Sequence, residues 1–228
     1  MLFEQIRSGG CLSYLIGCDE TCGAMLVDPH LEQLDRYIAL ASERGMRIHY
    51  VCETHTHADH FSAARELGRQ LDAKVVMHRL SAAPFADVRV DDGETLIVGK
   101  LRVKVMHTPG HTNDSTCLVF EDRVLTGDTL LIDGCGRTDF QSGDAGSLYD
   151  SVHERLFTLP DDTRVWPAHD YHGNTVSTIG HEMRHNARLA HRDRDAFVAL
   201  MGALELPRPR LIDVAVPANR LLGISHAA

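Results

Sequence analysis

No run of about 18 apolar residues occurs in this 228-residue chain, so a helix that crosses a bilayer is not expected. Basic residues are also in short supply, with 23 Lys and Arg against 32 Asp and Glu, a formal charge of −9. A net anion attracts neither a phosphate backbone nor an anionic lipid surface, which sets non-specific nucleic-acid and membrane binding aside while leaving room for local basic pockets. The amino end, Met1-Leu2-Phe3-Glu4-Gln5-Ile6-Arg7, lacks the basic-then-apolar layout of an export signal, and a cytoplasmic protein is the expectation. Neither an internal repeat nor a low-complexity tract is visible.

Cysteines number six: Cys11, Cys18, Cys22, Cys52, Cys117 and Cys135. Several lie in β-like apolar runs of a chain too large to need stapling, so reduced, buried thiols are expected rather than disulfides. Cys18 and Cys22 flank a hairpin turn with no second cysteine pair nearby, which argues against a structural zinc.

The length suits one sizeable core, and one domain is expected over residues 1–228, with a helical and extended C-terminal extension from about residue 180. Phe3 to Arg7, Leu12 to Gly17 and Ala24 to Val27 predict an antiparallel opening. Leu31, Leu34, Ile38 and Ala41 share one face of a predicted helix over Leu31 to Arg44. Strand Ile48 to Cys52, helix Phe61 to Leu71 and strand Lys74 to Met77 form a βαβ unit, which implies a parallel section. From Val88 to Val105 apolar and polar residues alternate, and a second, antiparallel sheet is predicted there. A hairpin over Thr116 to Thr126, a helix over Ala145 to Leu159 and a strand over Thr163 to Trp166 repeat the order. The predicted class is α/β, an αββα sandwich of two mixed β-sheets flanked by helices. Gly180 to His191 and Asp193 to Leu204 read as helices, followed by an extended tail through Val214-Ala215-Val216-Pro217. Arg184, His185, Arg188, His191, Arg192 and Arg194 read as a solvated helix face; a functional role for them would be to hold an anionic group.

Against this background Thr54-His55-Thr56-His57-Ala58-Asp59-His60 stands out. Three imidazoles and a carboxylate in so short a turn compete with one another unless a cation gathers them, and lone-pair nitrogen beside hard oxygen is a metal-ligand set. The turn lies where a strand hands over to a helix, the place where α/β sheets usually put ligands. His111, Asp128 and His169 also follow predicted strands and have Gly, Pro or Thr beside them. His55, His57, Asp59, His60, His111, Asp128 and His169 are therefore candidates for one shared metal site. His30, His49, His78, His153 and His226 lack such settings and read as ordinary structural or surface histidines.

The string THTHADH, followed by PGHT at Pro109 to Thr112, TGDTLL at Thr126 to Leu131 and PAHDYHG at Pro167 to Gly173, resembles the metallo-β-lactamase fold superfamily. Within it, Gly136-Arg137-Thr138-Asp139-Phe140-Gln141 and the HDYHG segment are similar to the persulfide dioxygenases, the group related to the ethylmalonic encephalopathy protein. The resemblance spans roughly residues 10 to 190, and Ile212 to Asn219 is similar to the tail of bacterial members. Asn186-Ala187-Arg188 departs from it, because relatives usually carry Asn-Pro-Arg there.

The resemblance implies two metal counts, and residues alone leave both open. Hydrolases of the superfamily such as glyoxalase II use all seven positions for two metals, zinc or mixed zinc and iron, bridged by the aspartate; that alternative makes this chain a dinuclear thioester hydrolase. Persulfide dioxygenases hold one Fe(II) at the positions matching His55, His111 and Asp128, which would then be the catalytic metal ligands, with coordination positions left for substrate and oxygen. His57, Asp59, His60 and His169 would in that case orient ligands or a bound water, or be vestiges of a second metal site. The implied reaction is the oxidation of glutathione persulfide by O2, with water, to sulfite and glutathione, a step of sulfide oxidation. Arg137 is the first candidate for the tripeptide carboxylates through its planar fork, the alternative being an ion pair with Asp139 or Asp144. Tyr171 is a second candidate for reaching the substrate, the alternative being a packed aromatic. Cys117 and Cys135 lack a sequence-adjacent base and read as structural thiols. A purely structural metal module is disfavoured, since such sites have no use for open positions. No motif speaks to assembly; dimers are common among soluble enzymes of this kind, so a homodimer is one expectation.

Overall fold

Strand β2 (Cys11–Gly17) shows why its sheet needs cover on both faces: Leu12, Tyr14 and Ile16 join one apolar cluster and Leu15 another, and all four are buried. In the computed structural model, which describes residues 1–221, the first sheet runs β1 (Leu2–Ser8), β2, β3 (Gly23–Val27), β4 (Arg47–Cys52), β5 (Lys74–His78) and β6 (Val88–Val90). Its first two pairings are antiparallel and the remaining three parallel. Helices α1 (Leu34–Glu43) and α2 (Ala64–Leu71) press Tyr37, Ala41, Ala64 and Leu67 onto Leu15, Leu26, Ile48 and Val75. A strand covered on both faces reads as a continuous apolar run, which is how this region is written in sequence.

The second sheet runs β7 (Thr95–Val98), β8 (Leu101–His107), β9 (Thr116–Val119), β10 (Arg123–Gly127), β11 (Arg164–Pro167) and β12 (Ser177–Thr178). Only β10 and β11 pair in parallel. Its inner face brings Leu96, Val98, Val103, Val105, Leu118 and Leu125 against the first sheet. On its outer face lie α3 (Ala145–Glu154), α4 (Ile179–His185) and α5 (Arg194–Gly202), through Leu148, Val152, Ile179, Phe197 and Met201. The αββα sandwich of two mixed sheets is thus the architecture that the sequence predicts.

The helix expected over Gly180 to His191 ends at His185, where Asn186 caps it, and two further segments differ from expectation. Val88 and Val90 form β6, parallel to β5 at the edge of the first sheet, rather than part of an antiparallel second sheet. A half-covered edge strand alternates in the same way whichever sheet it joins, so periodicity does not assign it. The tail through Val214 to Pro217, expected to be extended, is helix α6 (Ile212–Asn219). Ile212, Ala215, Val216 and Asn219 recur at helical spacing and are the buried residues of α6, and this stripe prevails over the helix-breaking tendency of Pro217. His226 lies outside the described residues.

Strands β8, β10 and β11 point the same way, and the loops after them meet the loop after β4, where Thr116 N–H donates to the Thr54 carbonyl. Helix α6 closes the back of this rim. Asn219 Nδ2 donates to the carbonyls of His57 (2.9 Å) and His60 (2.7 Å), and its Oδ1 accepts from Ser62 N–H (2.8 Å). Asn219→Ala leaves three buried backbone groups unmatched, each costing about 1–3 kcal/mol when unrelaxed. The expected outcome is a loss of roughly 3 kcal/mol, read as a lower urea midpoint at unchanged slope.

Candidate metal centre

The turn after β4 is held from below by Asp28, a buried carboxylate at φ 50 just past β3. Asp28 accepts from Thr54 N–H (2.7 Å) through Oδ1 and from Thr54 Oγ1–H (2.8 Å) through Oδ2. Because the single Thr54 hydroxyl proton goes to a carboxylate, its oxygen is left to accept from His55 Nδ1 at 2.9 Å. That fixes the His55 tautomer and leaves Nε2 with a free lone pair. His111 is set in the same way, since its Nδ1 donates to the Arg137 carbonyl at 2.7 Å. Both free nitrogens face one oxygen of Asp128: Oδ2 lies 4.0 Å from His55 Nε2 and 3.6 Å from His111 Nε2. Donors bound about 2.1 Å from an ion stand at most roughly 4.2 Å apart, so the three fit one cation.

Backbone spacing makes this approach feasible. Gly127 sits at φ 53, and a Cβ there would lie 2.7 Å from Thr54 Oγ1. Gly110, at φ 141, would bring a Cβ to 2.3 Å from the Leu148 Cα. Between the sheets, Asp114 accepts from Thr56 Oγ1 (2.5 Å) and Thr112 Oγ1 (2.6 Å), which stitches the two ligand loops together.

Of the remaining candidates, Asp59, His60 and His169 are linked through Asp59. Asp59 Oδ2 takes His169 Nε2 at 2.9 Å, His60 Nδ1 at 3.2 Å and the Cys11 thiol at 3.2 Å. His169 Nδ1 reaches Asp128 Oδ1 at 2.6 Å. Burial alone would drive His169 neutral, but Asp128 and Asp59 on its two sides hold its pKa well above that of an ordinary imidazole. Asp128 responds in kind: burial would raise it, yet His169, His111 and His55 hold it below the usual carboxylate range. Burial, and after it the neighbouring His57, keep His55 well below the ordinary value, so its lone pair stays open.

His57 turns elsewhere. Its Nε2 lies 3.2 Å from Asp28 Oδ1 and 3.0 Å from Glu53 Oε2, and all three residues are buried. Burial opposes protonation of His57, but Asp28 and then Glu53 prevail and raise its pKa well above normal. Glu53 also accepts from Ser62 Oγ–H. Cys11, Asp28, Glu53, Asp114 and Asn219 were not among the candidate site residues, because only hydrogen bonds formed in the folded chain bring them to the site. His30, read as ordinary, stacks on His60 with ring centroids 4.7 Å apart.

A cavity of about 500 Å³ is lined by two of the three converging ligands, His111 and Asp128, while His55 is buried beside them. Arg137 lines it but is already engaged: Nε and Nη2 pair with both oxygens of Asp139 at 2.7 Å, and the guanidinium lies 4.3 Å over Phe140. The ion pair with Asp139 is therefore the arrangement present. Tyr171 is 72% exposed and stacks on His169 at 5.8 Å, its ring open to the cavity rather than packed in a core. Cys135 and Cys117 are buried thiols pushed up to about 11 and about 12 by burial, as structural cysteines should be. Of the basic C-terminal set, Arg184 and Arg194 pair with Asp161 and Asp150 on the surface, whereas Arg188 turns into the cavity wall. The departure at Ala187 leaves the local turn intact, since Asn186 Nδ2 bonds the Gly134 carbonyl (2.9 Å) and its Oδ1 accepts from Arg188 N–H (3.0 Å).

Comparison with known proteins gives a consistent picture. A family model described as the metallo-beta-lactamase superfamily matches residues 6–169. The mitochondrial persulfide dioxygenase ETHE1 of Homo sapiens is 46% identical over 226 residues, which is 98% of this chain and 87% of that protein. The crystal structure of ETHE1 from Myxococcus xanthus has a TM-score of 0.97 at 47% identity, covering 98% of this chain and 100% of that one. A metallo-beta-lactamase structure from Staphylococcus aureus has a TM-score of 0.89 at 26% identity, covering 96% of this chain and 71% of that one.

Two outcomes follow from the hydrogen bonds around the ligands. Thr54→Val removes the acceptor for His55 Nδ1 and is expected to lower metal affinity about 10- to 100-fold in competition with a chromogenic chelator. The second concerns pH and the metal-free protein. His57, His60 and His169 have raised folded pKa values, so their stabilisation is complete below about 6.5 and is lost as pH rises through the folded values. His30, His55 and His78 have lowered values, so stability is lost as pH falls below about 6.5. The melting temperature of metal-free protein should therefore peak near pH 6.5 and fall on both sides; a steady rise from about pH 6 to 9 contradicts this.

Proposed function

This chain belongs to the metallo-beta-lactamase superfamily, and from that premise we propose that it is a sulfur dioxygenase, oxidising glutathione persulfide with O2 to sulfite and glutathione at one non-haem iron. Near-complete alignment with a persulfide dioxygenase supports the reaction class. One observation carries the metal count: Asp128 turns Oδ2 toward His55 and His111, while its Oδ1 is occupied by His169.

In this reading His55, His111 and Asp128 hold Fe(II) from one side, the two-histidine, one-carboxylate set suited to non-haem oxygenases. When bound there, iron supplies the redox chemistry by which both oxygen atoms of O2 pass to the outer sulfur of the persulfide. The protein's own part is to orient, neutralise and shield. Thr54 and the Arg137 carbonyl keep the two ligand imidazoles turned with Nε2 forward. His169, protonated between Asp59 and Asp128, keeps one Asp128 oxygen engaged and offsets the negative charge beside the arriving anionic sulfur. Tyr171, stacked on His169, covers the imidazolium on the cavity side. Water completes the stoichiometry, so that persulfide, O2 and H2O yield sulfite and the free thiol.

A dinuclear thioester hydrolase would need Asp59, His60 and His169 as ligands of a second ion. Their hydrogen bonds to one another, to Cys11 and to Asp128 favour the single-metal reading. All six cysteines are free, and no helix among the described residues is long and apolar enough to cross a membrane. Free thiols suit a reducing compartment, and we assign the protein to the cytoplasm.

Anaerobically purified protein should contain about one iron per chain, and its oxygen uptake should require glutathione persulfide. Asp128→Asn should lose most of the iron and at least about 100-fold in activity. Two zinc ions per chain, no oxygen uptake and hydrolysis of S-lactoylglutathione under argon would overturn the proposal.

A further inference from the structure

The open side of the cavity is walled by a strap that includes Leu206, Pro207, Pro209 and Arg210. Arg137 braces its start, donating to the carbonyls of Pro207 (2.7 Å) and Leu206 (3.4 Å). Beyond its end, α6 is tied to the metal turn through Asn219. Pro207 and Pro209 each fix a backbone φ, so the strap is a stiff support rather than a loose loop. Whatever it presents to the cavity is held in place.

Three arginines line this cavity, and their partners differ. Arg137 is matched by Asp139, with both carboxylate oxygens in its fork. Arg188 is half-buried; its side chain donates to the Cys135 carbonyl at 2.7 Å and touches the Cys135 thiol, and among the described residues no carboxylate forms an ion pair with it. Arg210 is exposed and has no hydrogen bond or ion pair among the described residues, although its neighbour Arg208 is paired with Asp213. Two uncompensated guanidiniums facing one cavity, in a chain of formal charge −9, make a local field that suits an anion with two separated charges.

Resting on the persulfide dioxygenase reading, we propose that Arg188 and Arg210 read the two carboxylates of the thiol carrier and that Arg137 is a brace for the strap. Depth decides which arginine takes which group. Arg188 is anchored at Cys135, next to Gly136, whose backbone packs so closely that a Cβ there would lie 2.9 Å from His111 Nδ1. It stands near the reacting sulfur and takes the carboxylate on the short glycyl arm of glutathione. Arg210 stands at the mouth and takes the carboxylate on the longer γ-glutamyl arm.

The test is calorimetric titration of the iron-loaded protein with three thiols: glutathione, cysteinylglycine, which lacks the γ-glutamyl arm, and the glycyl ethyl ester of glutathione. Arg210→Gln should weaken glutathione binding about tenfold and leave cysteinylglycine unchanged; Arg188→Gln should weaken glutathione about tenfold and leave the ester unchanged. Since Arg188 also holds the Cys135 carbonyl, Arg188→Lys is measured beside it and should retain more of the preference for glutathione over its ester than Arg188→Gln does. With glutathione persulfide, Arg210→Gln should raise KM about tenfold with kcat within about twofold. The proposal is overturned if Arg210→Gln binds glutathione as wild type does, or if the variants weaken all three thiols equally. It is also overturned if Arg137→Gln alone abolishes the preference for glutathione. Oxygen uptake by the wild type separates the two readings: none with glutathione persulfide removes the dioxygenase, whereas uptake that is insensitive to Arg210→Gln removes only this assignment.

Discussion

One imidazolium between two carboxylates governs the chemistry this site can do. His169 reaches Asp128 at 2.6 Å and Asp59 at 2.9 Å, and the two acids hold its proton in place against the cost of burial. A proton thereby occupies the electrostatic role that a second cation would have in a dinuclear site. The consequence is directional as well as electrostatic, because Asp128 keeps only one oxygen for the space between His55 and His111. In the proposed reading, the seven ligand-type residues that suggest two metals are divided between one metal and this imidazolium.

Around that pair the protein arranges support from distant parts of the chain. Asp28 fixes Thr54 and, through it, His55; Asp114 ties the turn after β4 to the turn after β8. Asn219 holds the same turn from the C-terminal helix, and Arg137 clamps the strap while its own carbonyl orients His111. Asp28, Asp114 and Asn219 each satisfy a backbone or side-chain atom that would otherwise be buried without a partner. Rigidity at the ligands thus depends on contacts between both sheets and α6, which explains why the site lies on the rim where the sheets meet.

Most of the fold was legible beforehand. Strands buried on both faces read as unbroken apolar runs, and helices α1, α3 and α5 carry apolar residues at helical spacing, so the αββα layers could be laid out from periodicity. Two of the differences show where periodicity ends. Val88 and Val90 alternate as an edge strand does in any sheet, and only the pairing with β5 places them. In α6 the buried stripe Ile212, Ala215, Val216 and Asn219 was visible, but Pro217 and the preceding prolines suggested an extended tail.

The amino-acid sequence by itself determined the candidate ligands, since His55, His111, Asp128 and their companions cluster in short motifs after strands, where local chemistry is enough to mark them. The contacts on which their proposed division of labour rests come only from the tertiary structure. Whether His169 serves a metal or a proton, whether Arg137 faces a substrate or Asp139, and which segment supplies Asn219 and Arg210 depend on distances between residues far apart in sequence. Those distances arise only when the two sheets and the C-terminal helix pack, because hydrogen bonds and ion pairs act over a few ångströms and carry no trace in sequence spacing.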